Sequence, residues 1–240
     1  MLILALDTTS EKGGVGIFQD ASRLAWIPNQ GLMKEYSITL FEMVEQALAQ
    51  ARLDLRQMDL YAVANGPGSF TGIRVGLAAA RAWGEVFGRP VRGVSTLEAM
   101  VGKVRLTTDW AFPIIDARRG EFYLGSFRRK LGEAPNTTDQ CYEQADEGWV
   151  LKPALLRRLL EERLPAGATA TCLVRAHDQA AANLRETLAG SIVWQQVEGA
   201  LVDSIAAIAL KEERASCPRP DAKLDAYYIR RTDAEINRKE

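Results

Sequence analysis

The sequence predicts an α/β fold built from mixed β-sheets with flanking helices. Three short apolar runs open the chain and are separated by polar turns, which is typical of an antiparallel meander of strands. After them, segments with apolar residues at helical spacing alternate with further short apolar runs, as expected for helices that connect strands. The 240 residues, 47% of them hydrophobic, suffice for one large domain or two smaller ones.

The first hundred residues contain the clearest alternation. Residues 2–6 are predicted to form a buried strand that ends at Asp7, because so short an apolar run favours a strand. Ser37 is predicted to cap the first helix, and Gly88 followed by Pro90 is predicted to end the second. The predicted elements are strands at 2–6, 13–18, 23–27, 60–64 and 91–94, and helices at about 37–51, 73–87 and 96–104.

The second half of the sequence has a less regular pattern. A strand is predicted to end at Asp116, with residues 121–127 as its hairpin partner. Residues 130–150 are polar and rich in turn formers, and no element is predicted there. The remaining predicted elements are strands at 170–174 and 192–197, and helices at 151–164, 177–189 and 201–214.

The charge and cysteine content bound the class of protein. Lys plus Arg total 30 and Asp plus Glu total 31, and this net charge of −1 argues against tight RNA binding by the chain alone. Three widely spaced cysteines, Cys141, Cys172 and Cys217, favour a reduced compartment, so we expect a cytoplasmic protein. No apolar run approaches the roughly 20 residues that cross a bilayer, and no secretory signal is recognisable, so we expect no membrane association.

The first candidate site is the turn that follows the opening strand. There Asp7, Thr8, Thr9 and Ser10 precede a pair of glycines, and hydroxyl groups with backbone donors in a tight hairpin suit an anion or a metal-bound water. The alternative is that these hydroxyls satisfy backbone groups of the turn itself. The residues alone favour the second interpretation.

The second candidate is a glycine-rich loop before the helix at 73–87. Its Ser69 or Thr71 is placed to cap that helix, whose N-terminus offers free N–H groups to an anion. The loop lacks the lysine of a P-loop, the spacing of a dinucleotide fingerprint and the pattern of a nucleophile elbow. A turn that packs closely on its neighbours is an equally weighted alternative. The motif residues are Gly66, Pro67, Gly68, Ser69, Thr71 and Gly72.

The helix at 73–87 has small residues on more than one face. Glycine lowers helix stability by up to about 1 kcal/mol relative to alanine, so Gly76 and Gly84 indicate close packing on a sheet or on another protein.

Isolated polar residues carry less information about function. His177 is the only histidine, which excludes a site with two imidazoles from this chain. Arg118 and Arg119 follow the strand-end Asp116 and could bind phosphate, although exposed arginines in turns are usually solvated.

Together these motifs resemble the bacterial TsaB (YeaZ) family. The resemblance covers the first 125 residues well and thins between about 130 and 215, with the stretch from Gly66 to Gly76 as its specific part. It implies an actin-like (ASKHA) fold of two related α/β domains, which we place at 1–105 and 106–240, with the tail from about 218 packing back on the first. The matching segments are residues 4–9, 66–77, 94–99, 115–118 and the C-terminal Tyr228-Ile229-Arg230.

The family implies a role as a non-catalytic scaffold and activator. TsaB-like proteins pair with a catalytic paralogue, TsaD, and work with the ATPase TsaE to install threonylcarbamoyl on the adenosine beside the tRNA anticodon. With His177 as its one histidine, this chain fits the partner that lacks the metal-binding histidines. The resemblance implies that this chain alone has no catalytic residue, metal or cofactor. It also implies that ATP or ADP would bind only at the assembled complex, that tRNA is contacted through the complex, and that the chain forms a homodimer when the partner is absent.

The helices at 37–51 and 73–87 are expected to form much of the partner surface. Their small and apolar residues permit another helix to approach closely. Family members often have His-Ser near the start of the first helix, where this chain has Tyr36-Ser37. The interface candidates are Phe41, Leu48, Gly76, Ala79, Ala80 and Trp83.

Two other functions remain open from the residues. An independent actin-like ATPase or small-molecule kinase would need a second phosphate loop, but the segment from Asp116 to Gly120 has Ala117 and Arg118 where a phosphate-binding glycine is wanted. A hydrolase using Ser69 would need a nearby histidine, which the sequence does not supply.

Overall fold

The computed structural model describes residues 1–29, 35–130, 142–187 and 192–215. Contacts divide these residues into two compact units, the first comprising 1–29, 35–99 and 199–215 and the second comprising 100–130, 142–187 and 192–198. The predicted α/β class is confirmed in both. The elements are β1 (Leu2–Asp7), β2 (Gly14–Gln19), β3 (Ser22–Pro28), α1 (Tyr36–Ala51), β4 (Leu60–Gly66), α2 (Phe70–Phe87), β5 (Val91–Ser95), α3 (Thr96–Lys103), β6 (Trp110–Asp116), β7 (Phe122–Leu124), β8 (Phe127–Arg129), β9 (Tyr142–Gln144), β10 (Trp149–Leu151), α4 (Pro153–Arg163), β11 (Ala170–Arg175), α5 (Gln179–Thr187), β12 (Val193–Val197) and α6 (Val202–Arg214).

The first unit is a five-stranded mixed sheet covered by helices on both faces. Its strand order is β3-β2-β1-β4-β5, with β1, β2 and β3 antiparallel and β4 and β5 parallel to β1. Helices α1 and α2 pack on one face and α6 on the other. Because both faces are covered, every residue from Ile3 to Leu6 is buried, which explains the uninterrupted apolar run in the sequence.

The ends of α2 agree with the sequence prediction. Ser69 Oγ accepts a hydrogen bond from Gly72 N at 3.3 Å, and Gly88 ends the helix in the left-handed conformation with φ of 62°. The predicted cap of α1 is wrong. Glu35 occupies the N-cap position without a side-chain cap, and Ser37 lies inside the first turn, where its hydroxyl bonds to Glu35 Oε2.

The second unit repeats the topology of the first. Its strand order is β10-β7-β6-β11-β12, in which β6 pairs antiparallel with β7 and parallel with β11, and β8 and β9 form an added ribbon beside β6. The first strand of each unit is therefore central, with antiparallel strands on one side and parallel strands on the other. Two such units make the actin-like fold that the family resemblance implied.

Two short strands occur where the sequence predicted none. Within residues 130–150, β9 pairs with β8 and β10 pairs with β7, each over three residues. Each has only three residues, too few to show a period of two in the sequence, and each becomes a strand by pairing with a neighbouring strand. Residues 131–141 lie outside the described ranges.

Helix α6 packs on the first unit, whereas the sequence-based division placed it in the domain at 106–240, of which only the tail from about 218 was expected to pack back on the first. Its apolar face, including Ile205 and Ala209, is buried against the first sheet. Arg23 on β3 pairs with Asp203 at 3.1 Å, and this ion pair ties the start of α6 to the sheet. Across the described ranges, none of the helices has the length and apolar character needed to cross a membrane.

Candidate functional site

The two motifs predicted from sequence lie against each other in the first unit. β1 and β4 are parallel neighbours, so their carboxyl ends meet at the same edge of the sheet. Asp7 ends β1 and Gly66 ends β4, which brings the Thr8–Ser10 turn beside the glycine-rich loop. Each motif was predicted separately, and the shared sheet edge brings the two together.

The Asp7 carboxylate is fully buried and hydrogen-bonded within the protein. Its Oδ1 accepts from Thr9 N at 3.1 Å and from Thr9 Oγ1 at 2.6 Å, and its Oδ2 accepts from Leu201 N at 3.2 Å. A buried carboxylate is stabilised by such donors, and these bonds connect the end of β1 to the start of α6. Sequence reasoning missed Leu201 because a backbone donor leaves no signal in the sequence.

Gly68 and Gly72 of the second motif, together with Gly76 in α2, contact the Thr8–Thr9 turn. A Cβ atom at Gly72 would lie 2.0 Å from Thr8 O, one at Gly68 would lie 2.6 Å from Thr9 O, and one at Gly76 would lie 2.4 Å from Thr8 Oγ1. Their spacing of four residues places them along one side of α2 and its entry. The glycines are therefore required by close approach, which is the packing interpretation of the motif.

The start of α2 is joined to the same turn by its own backbone. Ser69 N donates to Thr9 O at 2.7 Å, and Gly72 N donates to Ser69 Oγ at 3.3 Å. The Gly66–Pro67 peptide is cis, and Thr71 points outward and is exposed. At least two donors that an anion would use at this helix start are thus engaged inside the protein.

A cleft of about 310 Å³ opens beside this junction. Tyr36 OH donates to Ser10 O at 2.8 Å and closes one side of it. The described residues that line the cleft include two carboxylates and no lysine or arginine, so it does not favour a phosphate group. They are Ser10, Glu11, Asn29, Glu35, Tyr36, Ser37, Ser69, Thr71, Gly72 and Val75.

The second unit has a corresponding strand-end aspartate. Asp116 Oδ1 accepts from Arg118 N at 2.7 Å, as Asp7 does from the residue two positions later. Asp116 N donates to Asp178 Oδ2 at 2.8 Å, and Asp178 Oδ1 accepts from Ala181 N at the start of α5. The two aspartates therefore have the same local role, each fixing the turn after the central strand of its own unit.

Most of the predicted interface residues are buried within the first unit. Gly76, Ala79, Ala80 and Trp83 form part of its core, Leu48 is half-buried, and only Phe41 is exposed. The helical period explains the difference, since the face that carries Gly72 and Gly76 rests on the sheet. Substitutions at Ala79 or Ala80 would therefore test folding, and the exposed small residues of α2 are Ala78 and Ala82.

The remaining candidate nucleophiles and ligands form no site in the described residues. Burial raises the pKa of Cys172 to about 12, so its thiol is protonated near neutral pH. No cluster of three or more His, Cys, Asp or Glu that could hold a metal lies within the described ranges. Cys141, Cys217 and the C-terminal Tyr228-Ile229-Arg230 fall outside them.

Comparison with known proteins identifies related sequences. The family model described as "TsaD: tRNA N6-adenosine threonylcarbamoyltransferase" matches residues 28–154, more than half of the chain. The chain is 31% identical over 132 residues to the tRNA threonylcarbamoyladenosine biosynthesis protein TsaB of Bacillus subtilis, covering 55% of this chain and 57% of that protein. It is 32% identical over 136 residues to TsaB of Escherichia coli, covering 54% and 56%. The chain thus spans about half the length of the curated relatives it matches.

The similarity in structure extends over a larger part of the chain. YeaZ from Pseudomonas aeruginosa superposes with a TM-score of 0.63 at 21% identity, covering 88% of this chain and 93% of that chain. At this identity the likeness concerns the fold. It includes the region after residue 130, where the sequence resemblance thins.

Proposed function

Because this chain belongs to the TsaD family, and within it groups with the TsaB (YeaZ) proteins, we propose that it serves in threonylcarbamoyladenosine biosynthesis in tRNA as a non-catalytic subunit. In this role it binds a catalytic TsaD-like paralogue through α1 and α2 and activates it. The relatives named as tRNA threonylcarbamoyladenosine biosynthesis proteins support the pathway. The geometry of the first unit supports the non-catalytic part.

The buried Asp7 supports a role without chemistry at this chain. Its two carboxylate oxygens accept hydrogen bonds from Thr9 and Leu201, and no substrate could reach them without breaking that packing. Ser69, the candidate nucleophile, uses its hydroxyl to cap α2. Within the described residues, Ser69 Oγ has no hydrogen bond to an imidazole or thiol that would activate it. The catalytic groups are therefore expected on the partner.

The exposed apolar residues of α1 and α2 are the observation that carries the proposal. Ile38 is 73% exposed, Phe41 57% and Val86 74%, and apolar side chains that cluster at a surface mark protein interaction sites. Phe41 also packs edge to face on Trp83, with ring centroids 6.0 Å apart, so it is held in position on the neighbouring helix. A preordered apolar surface of this kind favours protein–protein contact.

The charges around this surface suit pairing as well. Glu42 and Glu45 on α1 and Arg74 and Arg81 on α2 are exposed. In a twofold contact between two copies, Glu42 and Glu45 of one copy would face Arg74 and Arg81 of the other. We therefore propose a homodimer through this face when the paralogue is absent, with the TsaE-like ATPase and tRNA joining only the assembled complex.

Replacing Ala78 with glutamate is expected to weaken pairing with the TsaD-like paralogue strongly. Ala78 is exposed on α2, so the isolated chain should keep its stability within about 0.5 kcal/mol. In the complex, the new carboxylate would be desolvated without a partner and would weaken binding by about 2–5 kcal/mol. Size-exclusion chromatography with light scattering and titration calorimetry measure the effect.

The matched control for this variant is Leu155→Glu. Leu155 is an apolar residue of α4, 54% exposed, in the second unit. The Leu155→Glu variant should pair with the paralogue at wild-type affinity. If Ala78→Glu folds normally and also binds like the wild type, the α1/α2 face is not the interface.

We also expect the isolated chain to show no threonylcarbamoyl transfer and negligible ATP hydrolysis. The physical reasons are the single histidine, the missing P-loop lysine and the acidic lining of the cleft. A coupled ATPase assay and a tRNA modification assay on the purified chain test this directly. Robust ATP turnover that Asp7→Ala removes would favour the kinase-like alternative.

A further inference from the structure

The hairpin turn between β6 and β7 has an unusual backbone. Arg118 has φ of 65°, Arg119 has φ of 57° and Gly120 has φ of 73°, so three successive residues are left-handed. This conformation brings Cβ close to the following carbonyl, which disfavours it for every residue except glycine and, to a lesser degree, asparagine and aspartate. Elsewhere in the described ranges non-glycine residues adopt positive φ only singly, at Asp20 and Arg52.

The turn itself does not need the Arg118 side chain. Its main chain is closed by hydrogen bonds from Ala117 N to Glu121 O at 2.9 Å and from Glu121 N to Arg118 O at 3.1 Å. Arg118 N adds a bond to the Asp116 carboxylate. The Arg118 guanidinium is 89% exposed and its nearest Asp116 oxygen is 3.8 Å away, a weak ion pair in solvent. Asn and Gly would satisfy the same backbone with less steric strain.

We propose that Arg118 and Arg119 bind phosphate groups of an RNA. Two adjacent guanidinium groups on a hairpin tip can each contact a phosphodiester in a bidentate manner. The binding free energy of such contacts would offset the steric cost of placing arginines in this turn. The neighbouring carboxylates of Asp116 and Glu121 balance the local charge, so the pair contributes to a larger contact and does not hold RNA alone. The choice of RNA as the source of phosphate rests on the proposed function.

The hairpin is better suited to RNA than to a free nucleotide. Both arginine side chains lie on an exposed turn, where a large polyanion can reach them from outside. The net charge of −1 predicts weak binding by the isolated chain, because phosphate neutralisation dominates such affinity. The effect should therefore be largest at low salt and in the complex with the paralogue.

The test uses the full chain, alone and with the TsaD-like paralogue, and a fluorescent unmodified tRNA transcript at about 50 mM salt. The double variant Arg118→Asn/Arg119→Asn is expected to bind the transcript about tenfold more weakly, in line with the loss of charge-assisted contacts. Each lost phosphate contact should reduce the slope of log affinity against log salt by about 1. Removing the two strained arginines should also raise Tm by about 2–4 °C.

Arg52→Asn is the matched control. Arg52 is an exposed arginine in the left-handed conformation at the end of α1, so the same substitution should raise Tm without changing tRNA affinity. A double variant that binds tRNA like the wild type, alone and in the complex, would overturn the inference, and so would a wild type that binds no tRNA in either form. A fall in Tm would also overturn it, since the arginines would then be structural.

Two further arms separate this inference from the proposed function. Pairing with the paralogue is measured on the same double variant, and intact pairing with unchanged tRNA binding would refute the arginine pair while leaving the proposed function standing. Failure of the wild type to pair would refute the proposed function, whereas weaker tRNA binding by the double variant alone would still support the arginine pair. ATP that displaces the transcript from the wild type but not from the double variant would assign the pair to a nucleotide and contradict RNA.

Discussion

Replacing Gly72 with valine is expected to unfold the first unit at temperatures where the wild type is stable. A Cβ at this position would lie 2.0 Å from Thr8 O, a distance that no side-chain rotation can relieve because the backbone sets the position of both atoms. The start of α2 would have to move off the turn after β1. That movement would break the bond from Ser69 N to Thr9 O and open the core beneath Ile73.

The cost should be about 4–5 kcal/mol or more, a large part of the roughly 5–15 kcal/mol that stabilises a domain. Urea unfolding followed by circular dichroism measures it. Thr71→Val is the matched control, because it places the same side chain at the neighbouring exposed position of α2, where we expect a change below about 0.5 kcal/mol. An unfolding midpoint for Gly72→Val equal to that of the control would show that the close packing of the glycine motif is not needed.

Asp7→Asn is expected to have the second largest effect. The amide would keep one acceptor and add an N–H₂ group that faces either Thr9 or Leu201, both of which already donate. At least one buried donor would lose its acceptor, at a cost of about 2–4 kcal/mol. Since Leu201 precedes α6, hydrogen exchange should increase in α6 as well as at the end of β1.

Asp116→Asn provides the comparison in the second unit. Asp116 has the same position after a central strand, but it is half-buried and its carboxylate accepts a bond from Arg118 N at an exposed turn. We expect its loss of stability to be less than half that of Asp7→Asn. If Asp7→Asn instead keeps wild-type stability but stops activity of the assembled complex, Asp7 is a catalytic group and the structural interpretation is wrong.

Much of the fold could be predicted from local pattern. The strand at β1 and the helix α2 were predictable because an unbroken apolar run and a Ser69-to-Gly88 capping pair are strong local signals. The resemblance to TsaB, which rested on the glycine-rich stretch, is confirmed by relatives of that name. The glycine at position 72 in this stretch has a physical reason, because the backbone there contacts Thr8 too closely for any side chain.

The parts that could not be predicted depend on contacts distant in sequence. Neither β9 nor β10 has a pattern of its own, since each becomes a strand by pairing with a neighbour. The return of α6 to the first unit is set by buried contacts and by Asp7 accepting from Leu201 N, 194 residues away. The buried side of α2 was predictable in principle, because the helical period from Gly72 and Gly76 places Ala80 on the sheet side and Ala78 outside.

The measurement that tests the central claim most directly is reconstitution of tRNA modification with and without this chain. Purified TsaD-like paralogue, TsaE-like ATPase, threonylcarbamoyl-adenylate and unmodified tRNA are incubated, and modified adenosine is quantified by mass spectrometry. We predict that modification requires this chain, that Ala78→Glu fails to support it, and that this chain without the paralogue produces none. Full modification in its absence, or modification by this chain alone, would contradict the assignment as a non-catalytic activating subunit.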